Sequence, residues 1–459
     1  MTRSHRPAVP LALLPLLALL PLALGGLAVP APLPGQAAAG DLPRVTLAEA
    51  RHRATTVDAA AVAARGGVET AAWERRTARI DLFTPGVTAD VSYLHFSDPF
   101  FNFGTGEISP NATSATLQAS YTLLGAGKLG ELRRAGAALA SAEASETAVR
   151  YRAAMAADEA YFAVLADREL SRVAADRLRR AEEQLGVARA RVVAGEAIAP
   201  DSLQLLLEAN RARLELLRRD SALTTSRLRL GRRIGLAGPA EAEPVDSAMP
   251  PALPLTLDEA VTELRTRGPE IQAARAAERR ADAVLLAERE GYLPAIVLSA
   301  TTGAYDAELF PSALRRTQLG ITLSLPIWNG GQRELAVARA GVERDVARAE
   351  RQERERAAAE RMAEAYHGYG TARTGIELAR VGVAAAAENY RVQRIRYREG
   401  ATTILDLLEA QVALSEADAA LVQARYAARL ALARIEALLG RRLLEAGEPV
   451  PHDQRDDGR

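Results

Sequence analysis

Cysteine is absent from all 459 residues. Disulfides, thiol catalysis, cysteine-ligated zinc, iron–sulfur clusters and lipid attachment through an N-terminal cysteine are therefore excluded. Net charge is absent too: 58 Lys+Arg balance 58 Asp+Glu, so the basic excess of a nucleic-acid partner is missing. Aromatic residues make up only 4% of the chain, too few for an ordinary large globular core. Beyond the first forty residues no segment holds eighteen consecutive apolar residues, which argues against a transmembrane helix. The five histidines (His5, His52, His95, His367, His452) include no pair at metal spacing, and Met1, Met155, Met249 and Met362 form no soft-metal relay. No Ser/His/Asp set or paired carboxylates in a concave loop region stand out. The chain reads as a non-enzyme without cofactor or metal.

What is present begins at the N-terminus. Arg3 and Arg6 precede an apolar run from Ala8 to about Leu27, and "AAA" at Ala37–Ala39 is a small-residue cleavage site. This is the pattern of a secretory signal peptide over 1–39. Pro7, Pro10, Pro15 and Pro21 argue against a membrane anchor helix in the same stretch.

Length alone would suggest about three domains, but the chain repeats itself instead. "RVTLAEA" at Arg44–Ala50 recurs as "PLTLDEA" at Pro254–Ala260. Each opens an Ala-rich helix that runs to a proline, Pro85 or Pro294. Two alternating segments follow, separated by a loop: Ser97–Thr113 in the first half, Asp306–Arg315 in the second. Both pairs end at glycines, Gly125–Gly127 and Gly330–Gly331. Proline-free stretches then run from Lys128 to about Val193 and from Gln332 to about Arg398. Each spans about 100 Å as a helix. Each ends at a glycine turn and doubles back as another helix.

The alternating segments carry the argument. Leu319, Ile321, Leu323, Leu325 and Ile327 alternate with Gln318, Gly320, Thr322, Ser324 and Pro326, the mark of a strand with one oily face. Each strand is read as about ten residues, enough to cross a bilayer at a tilt. Eleven of the twenty aromatics fall in Phe83–Tyr121 and Tyr292–Trp328, as an interfacial girdle requires. Four strands cannot close a barrel, and an open edge in lipid leaves its N–H and C=O groups unsatisfied. Several chains must share one barrel, and three chains give twelve strands. A soluble periplasmic coiled-coil scaffold without channel activity is the alternative, but it has no use for four such strands.

The tandem "LTLDEA…GYLPAIVLSA", the stretch "LSLPIWNGG" (Leu323–Gly331) and the tip "YREGATTILDLLEAQ" (Tyr397–Gln411) resemble the TolC-type outer-membrane efflux protein family. The resemblance covers nearly all of the chain after the signal peptide. It implies a mainly α protein with transmembrane β-structure: a tandem-repeat, long-helix coiled-coil barrel plus four β-strands per chain, in a trimer sharing a 12-stranded β-barrel. It also implies an outer-membrane location, a helical tunnel in the periplasm, and docking on a periplasmic adaptor (membrane fusion) protein. Behind the adaptor would stand an inner-membrane RND, ABC or MFS-type transporter, or a type I secretion transporter. The first repeat then comprises periplasmic helices (40–84), barrel strands (85–124) and a long helical hairpin (125–233). A Pro/Ala-rich linker (234–255) leads to the helix (256–293), strands (294–327) and hairpin (328–440) of the second repeat, and a polar tail (441–459) closes the chain. Leu319, Ile321, Leu323, Leu325 and Ile327 are expected to face lipid.

The hairpin tips are the candidate site. Asp406 and Glu409 lie three apart on one helix face and would make two carboxylate rings under threefold symmetry. Asp406 could equally be the third-position partner of a cap at Thr403. Asp201 occupies the matching tip of the first repeat, as a pore charge or as an N-cap facing Gln204. Tyr397 is expected to hydrogen-bond Asp201, in place of the ionic latch that a basic residue near Thr402 provides in some family members. Gly195, Ala197, Ala199, Gly400, Ala401, Thr402, Thr403 and Leu405 present the surface where an adaptor hairpin would pack, and Gly400 is expected to need a left-handed backbone. "GAGKLGE" (Gly125–Glu131) is not a phosphate loop: Leu129 stands where Ser or Thr must hold magnesium.

Overall fold

The computed structural model describes residues 42–102, 106–125, 127–195, 199–245, 249–306 and 314–444. The signal-peptide and C-terminal-tail readings lie outside these residues, apart from Arg441–Leu444. Thr46 and Thr256 each accept from the backbone N–H of the glutamate three residues on, opening the first helix of each repeat. A short strand β1 (Arg44–Val45) precedes α1 (Leu47–Val57), and α2 (Ala59–Phe83) follows directly. The single helix expected here is two, because the Asp58 carboxylate accepts from the Ala60 and Ala61 N–H groups and starts a new one.

Strands β2 (Gly86–Asn102) and β3 (Glu107–Leu124) come next. They are 17 and 18 residues long, not about ten, and they extend through most of the segment read as loop. α3 (Lys128–Val193) and α4 (Ala199–Arg233) form the first long hairpin. The inter-repeat segment is more ordered than a linker. Its strand β4 (Glu241–Ala242) pairs in parallel with β1, and Ala240 and Ala242 are fully buried. Glu241 binds Arg168 at 3.1 Å and also Arg227, tying the segment to α3 and α4.

The second repeat runs α5 (Leu257–Arg267), α6 (Pro269–Glu290), β5 (Ala295–Asp306), β6 (Leu314–Ser324), α7 (Gln332–Arg398) and α8 (Ile404–Leu439). Here too the expected single helix is two, broken where Pro269 takes the first turn of α6. α3 and α7 contain 66 and 67 residues. The four strands form one antiparallel sheet in the order β2-β3-β5-β6.

The turn from sheet to helix is local backbone chemistry. Gly127 and Gly331 precede the two long helices with φ of 92° and 80°, a region closed to most side chains. The third glycine of "GAGKLG" has a packing role. A Cβ on Gly130 would lie 2.9 Å from the Ala287 Cα on α6, and the Gly130 N–H donates to Glu290 at 2.7 Å. At the far end of the hairpins, Leu185, Leu205, Tyr390, Tyr397, Ile404 and Leu407 belong to one apolar cluster that locks both repeats together. A second cluster, around Tyr161, Leu165, Leu230 and Ile234, holds α1 and the inter-repeat segment against the hairpins. Beside it Arg51 grips the buried Asp158 at 2.6 and 3.1 Å. Burial still holds the Asp158 carboxyl above its ordinary value, opposed first by Arg51 and then by Arg442.

Candidate functional site

The sheet register decides what the strands can do. Val87 pairs with Ala119, Ala119 with Ala300 and Ala300 with Leu319. The next row on the same face is Tyr121, Leu298 and Ile321. An oily face is therefore continuous across all four strands. The opposite face carries Thr88, Gln118, Thr301 and Gln318 in one row. Leu319, Ile321 and Leu323 are 79%, 77% and 69% exposed, so none of the described residues covers the oily face there. Leu325 and Ile327 are also exposed, but β6 ends at Ser324. Pro326, which cannot donate to a ladder, lies between them, and they belong to the connection toward α7.

The base of the sheet carries cation–aromatic pairs in both repeats. The Lys128 ammonium lies 4.2 Å from the Tyr121 ring centroid, and the Arg333 guanidinium 4.7 Å from that of Tyr292. Arg333 also donates to the Pro326 carbonyl at 2.7 Å. Amphipathic rings and long cations of this kind mark the boundary between apolar and aqueous surroundings.

At the tips, Gly195 and Gly400 have φ of 78° and 72°. Both are exposed, as are Ala401, Thr403 and Leu405, while Thr402 is half-buried. Ala197 lies outside the described residues; Ala199 opens α4. Thr403 and Asp406 form a complete capping box. One Asp406 carboxylate oxygen accepts from the Thr403 N–H (3.1 Å) and from the hydroxyls of Thr403 (2.7 Å) and Thr402 (2.8 Å). These bonds hold the Asp406 carboxyl below its ordinary value, the Thr403 hydroxyl contributing most. Asp406 and Glu409 are both exposed, so the cap still presents charge to solvent.

Asp201 differs from the expectation of an N-cap. α4 starts at Ala199, which puts Asp201 in its first turn. It stands at the same offset from its tip glycine as Asp406, but Ile198 replaces the capping threonine. The Tyr397–Asp201 hydrogen bond is also not formed. Tyr397 is 4% exposed, and its hydroxyl has no hydrogen-bond partner among the described residues. The phenol is swallowed by the tip cluster. Burial raises its pKa, the Asp201 charge adds to the rise, and Arg191 opposes it.

Arg191 is the tip residue that the sequence reading missed. It donates to the Tyr397 carbonyl at 3.1 Å and its guanidinium lies 5.6 Å from the Tyr397 ring centroid, joining the two hairpins. A signal was present: Arg191 and Arg396 each stand four residues before a tip glycine. Arg396 closes its own turn on the Ala401 carbonyl at 3.3 Å.

A four-stranded sheet with an exposed oily face, continuous with two hairpins of about 100 Å, is the architecture of the long-helix outer-membrane channels. Residues 260–441 match the family model described as "Outer membrane efflux protein". The chain is 27% identical over 360 residues to the probable efflux pump outer membrane protein TtgC of Pseudomonas putida, covering 76% of this chain and 73% of that protein. The Campylobacter jejuni CmeC outer membrane channel superposes with a TM-score of 0.76 at 17% identity, over 86% of this chain and 85% of that one. The Vibrio cholerae outer membrane protein VceC gives 0.72 at 20% identity, over 86% and 96%. These two likenesses concern the fold. The chain is thus similar to the TolC-type outer-membrane efflux proteins, in sequence to the family model over residues 260–441 and in fold over most of its length.

Proposed function

We propose that the protein is the passive exit duct of a tripartite efflux pump, working as a homotrimer. The observation that carries this reading is the pair of matching open edges. In the sheet, β2 and β6 are unpaired on their outer sides. In the helical part, α3 packs on α4 and α8, and α8 on α7, which leaves α4 and α7 outermost. Both outer helices carry exposed leucine and valine, including Leu214 and Leu217 on α4 and Leu378 and Val381 on α7. Three copies joined β6 to β2 and α7 to α4 satisfy all these edges at once, giving twelve strands above twelve helices.

In such a trimer the oily sheet face meets lipid and the polar face lines water. The hairpins form a tunnel into the periplasm, reached by export on the N-terminal signal. Asp406, Glu409 and Asp201 ring the tunnel mouth, and the tip surface from Gly195 and Gly400 to Leu405 receives a periplasmic adaptor. The transporter behind it, of the RND, ABC or MFS type, supplies the energy. The efflux names of the Pseudomonas relatives favour a pump over a type I secretion system.

Membrane fractionation followed by planar-bilayer recording tests this directly. The expected result is a trimer extracted by detergent from the outer membrane that conducts as single channels. Recovery of a soluble periplasmic monomer would overturn the reading in favour of a coiled-coil scaffold.

A further inference from the structure

Of the 58 Lys+Arg residues, Lys128 alone is lysine. It is the first residue of α3, at the base of the sheet. Its ammonium donates to the Thr122 carbonyl at 2.7 Å and lies 4.2 Å from the Tyr121 ring centroid. An ammonium has three N–H donors. The carbonyl takes one and the ring faces another, which leaves a third for an outside acceptor. The arginines beside it on α3 are already paired: Arg134 with Glu131 and Arg133 with Glu290, each at 2.6 Å. Lys128 forms no ion pair among the described residues. The corresponding cation of the second repeat is used differently. Arg333 donates to the Pro326 and Ile327 carbonyls at 2.7 and 3.1 Å, closing its own turn.

Tyr121 connects this lone charge to a recess. On the oily face of the sheet an open hollow of about 420 Å³ is lined by Ala119, Tyr121, Leu298, Ala300, Leu319 and Ile321. Ala119 and Ala300 are ladder partners, and Tyr121 and Leu298 are partners in the next row of that face. Two methyl groups side by side leave room that the larger neighbours enclose. The Tyr121 hydroxyl donates to the Leu82 carbonyl at 2.9 Å, which holds the ring at the edge of the hollow. One side chain therefore borders an apolar groove and carries an ammonium without a counterion among the described residues.

A groove for hydrocarbon ending at an unbalanced cation suits an amphiphile with an acidic head. The base of the sheet adjoins the helices, so in the duct it meets the periplasmic leaflet, which is built of phospholipid. A phosphate oxygen accepts from an ammonium in a charge-assisted hydrogen bond. The net charge of the head then decides between lipids. A zwitterionic head brings an ammonium of its own next to Lys128, and both nearby carboxylates, Glu131 and Glu290, already hold arginines. An anionic head brings no such repulsion.

Resting on the reading of the sheet as the lipid-embedded wall of a trimeric duct, we propose that Lys128 and the hollow beside Tyr121 form a site for an anionic glycerophospholipid of the periplasmic leaflet. The Lys128 ammonium holds a phosphate oxygen, and an acyl chain lies over Ala119 and Ala300. Each copy of the chain carries one such site.

Native mass spectrometry of the detergent-extracted trimer tests the site. The trimer is stripped of lipid by detergent exchange and titrated with phosphatidylglycerol or phosphatidylethanolamine of identical acyl chains. The unmodified trimer is expected to retain phosphatidylglycerol, one per copy, about fivefold better than phosphatidylethanolamine, the effect of one lysine at an anionic lipid surface. Lys128→Gln should abolish that preference, and Lys128→Arg should keep most of it. Ala300→Phe fills the hollow and leaves the charge in place, so it should lower retention of both lipids. Arg333→Gln should leave retention unchanged. Equal retention of the two lipids by the unmodified trimer, or an undiminished preference in Lys128→Gln, would overturn the site. So would a loss in Arg333→Gln as large as in Lys128→Gln, since any boundary cation would then serve. If the unmodified chain yields no trimer from the outer membrane, the duct reading itself fails and takes this site with it.

Discussion

Asp406 sits at the meeting of two roles. Its three accepted hydrogen bonds make it the partner of the Thr403 helix cap, and its exposure leaves its charge free to face the axis of the proposed tunnel. Because its folded pKa is depressed, the cap's stabilisation is present above the ordinary value of 3.8 and is lost as pH falls through the lower folded value. Asp406→Asn with Glu409→Gln should lower cation selectivity in reversal-potential recordings, since six carboxylates leave the trimer mouth. The Asp406 share of that selectivity should persist from pH 7 to about pH 5. Unchanged ion preference in the double variant would leave the two carboxylates as surface groups only. Gly400 gives a second test at this scale. Its φ of 72° is strained for any other residue, by about 1 kcal/mol, yet nothing crowds its Cβ position. Gly400→Ala should therefore cost little, while Gly400→Glu, with a charge on the proposed docking surface, should abolish export and leave the trimer in the membrane. Drug-susceptibility assays beside membrane blots would read both.

β6 is the element whose two faces make opposite predictions one residue apart. Leu323 and Ile321 lie on the oily face and Thr322 on the polar one, in register with Val297 of β5. Leu323→Asp should block insertion, at a cost of roughly 2 kcal/mol per copy near the bilayer midplane, whereas Thr322→Asp should be tolerated. Heat-resistant trimer in outer-membrane extracts is the measurement, and equal effects would mean that the faces are misassigned. Strand type and face were legible here because strict alternation over Leu319–Leu323 has one reading. Strand length was not. Ser97–Thr113 is rich in Gly, Asn, Ser and Pro, which reads as loop by composition, and pairing with the partner strand overrides that composition. The paired helices α1–α2 and α5–α6 were missed for a similar reason. A capping Asp58 inside an Ala-rich run, or a Gly268–Pro269 step, is a weak signal until packing uses it.

For the whole molecule, the outer helices make the sharpest claim. Leu217 is 61% exposed on α4 and Leu378 69% exposed on α7. If α4 and α7 meet between copies, burying such a side chain contributes roughly 1.5 kcal/mol at each of three interfaces. Leu217→Glu or Leu378→Glu should then shift the protein from trimer to monomer in native mass spectrometry while the helical circular dichroism stays unchanged. A trimer of undiminished stability would mean that these faces meet something else.

Much of this was already in the order of the residues. The tandem repeat, the four strands and their oily faces, the two long helices and the left-handed glycine at the tip follow from periodicity and from the special backbone of glycine and proline. These are properties of neighbours in the chain, so the sequence determines them locally. Only the tertiary structure decided which elements touch. It buried the Tyr397 phenol in the tip cluster instead of pairing it with Asp201, brought Arg191 across to the other hairpin, and ordered the inter-repeat segment by pairing β4 with β1. Those contacts join residues about two hundred positions apart. They depend on which faces are left to bury once the helices have packed, and no local pattern encodes that choice.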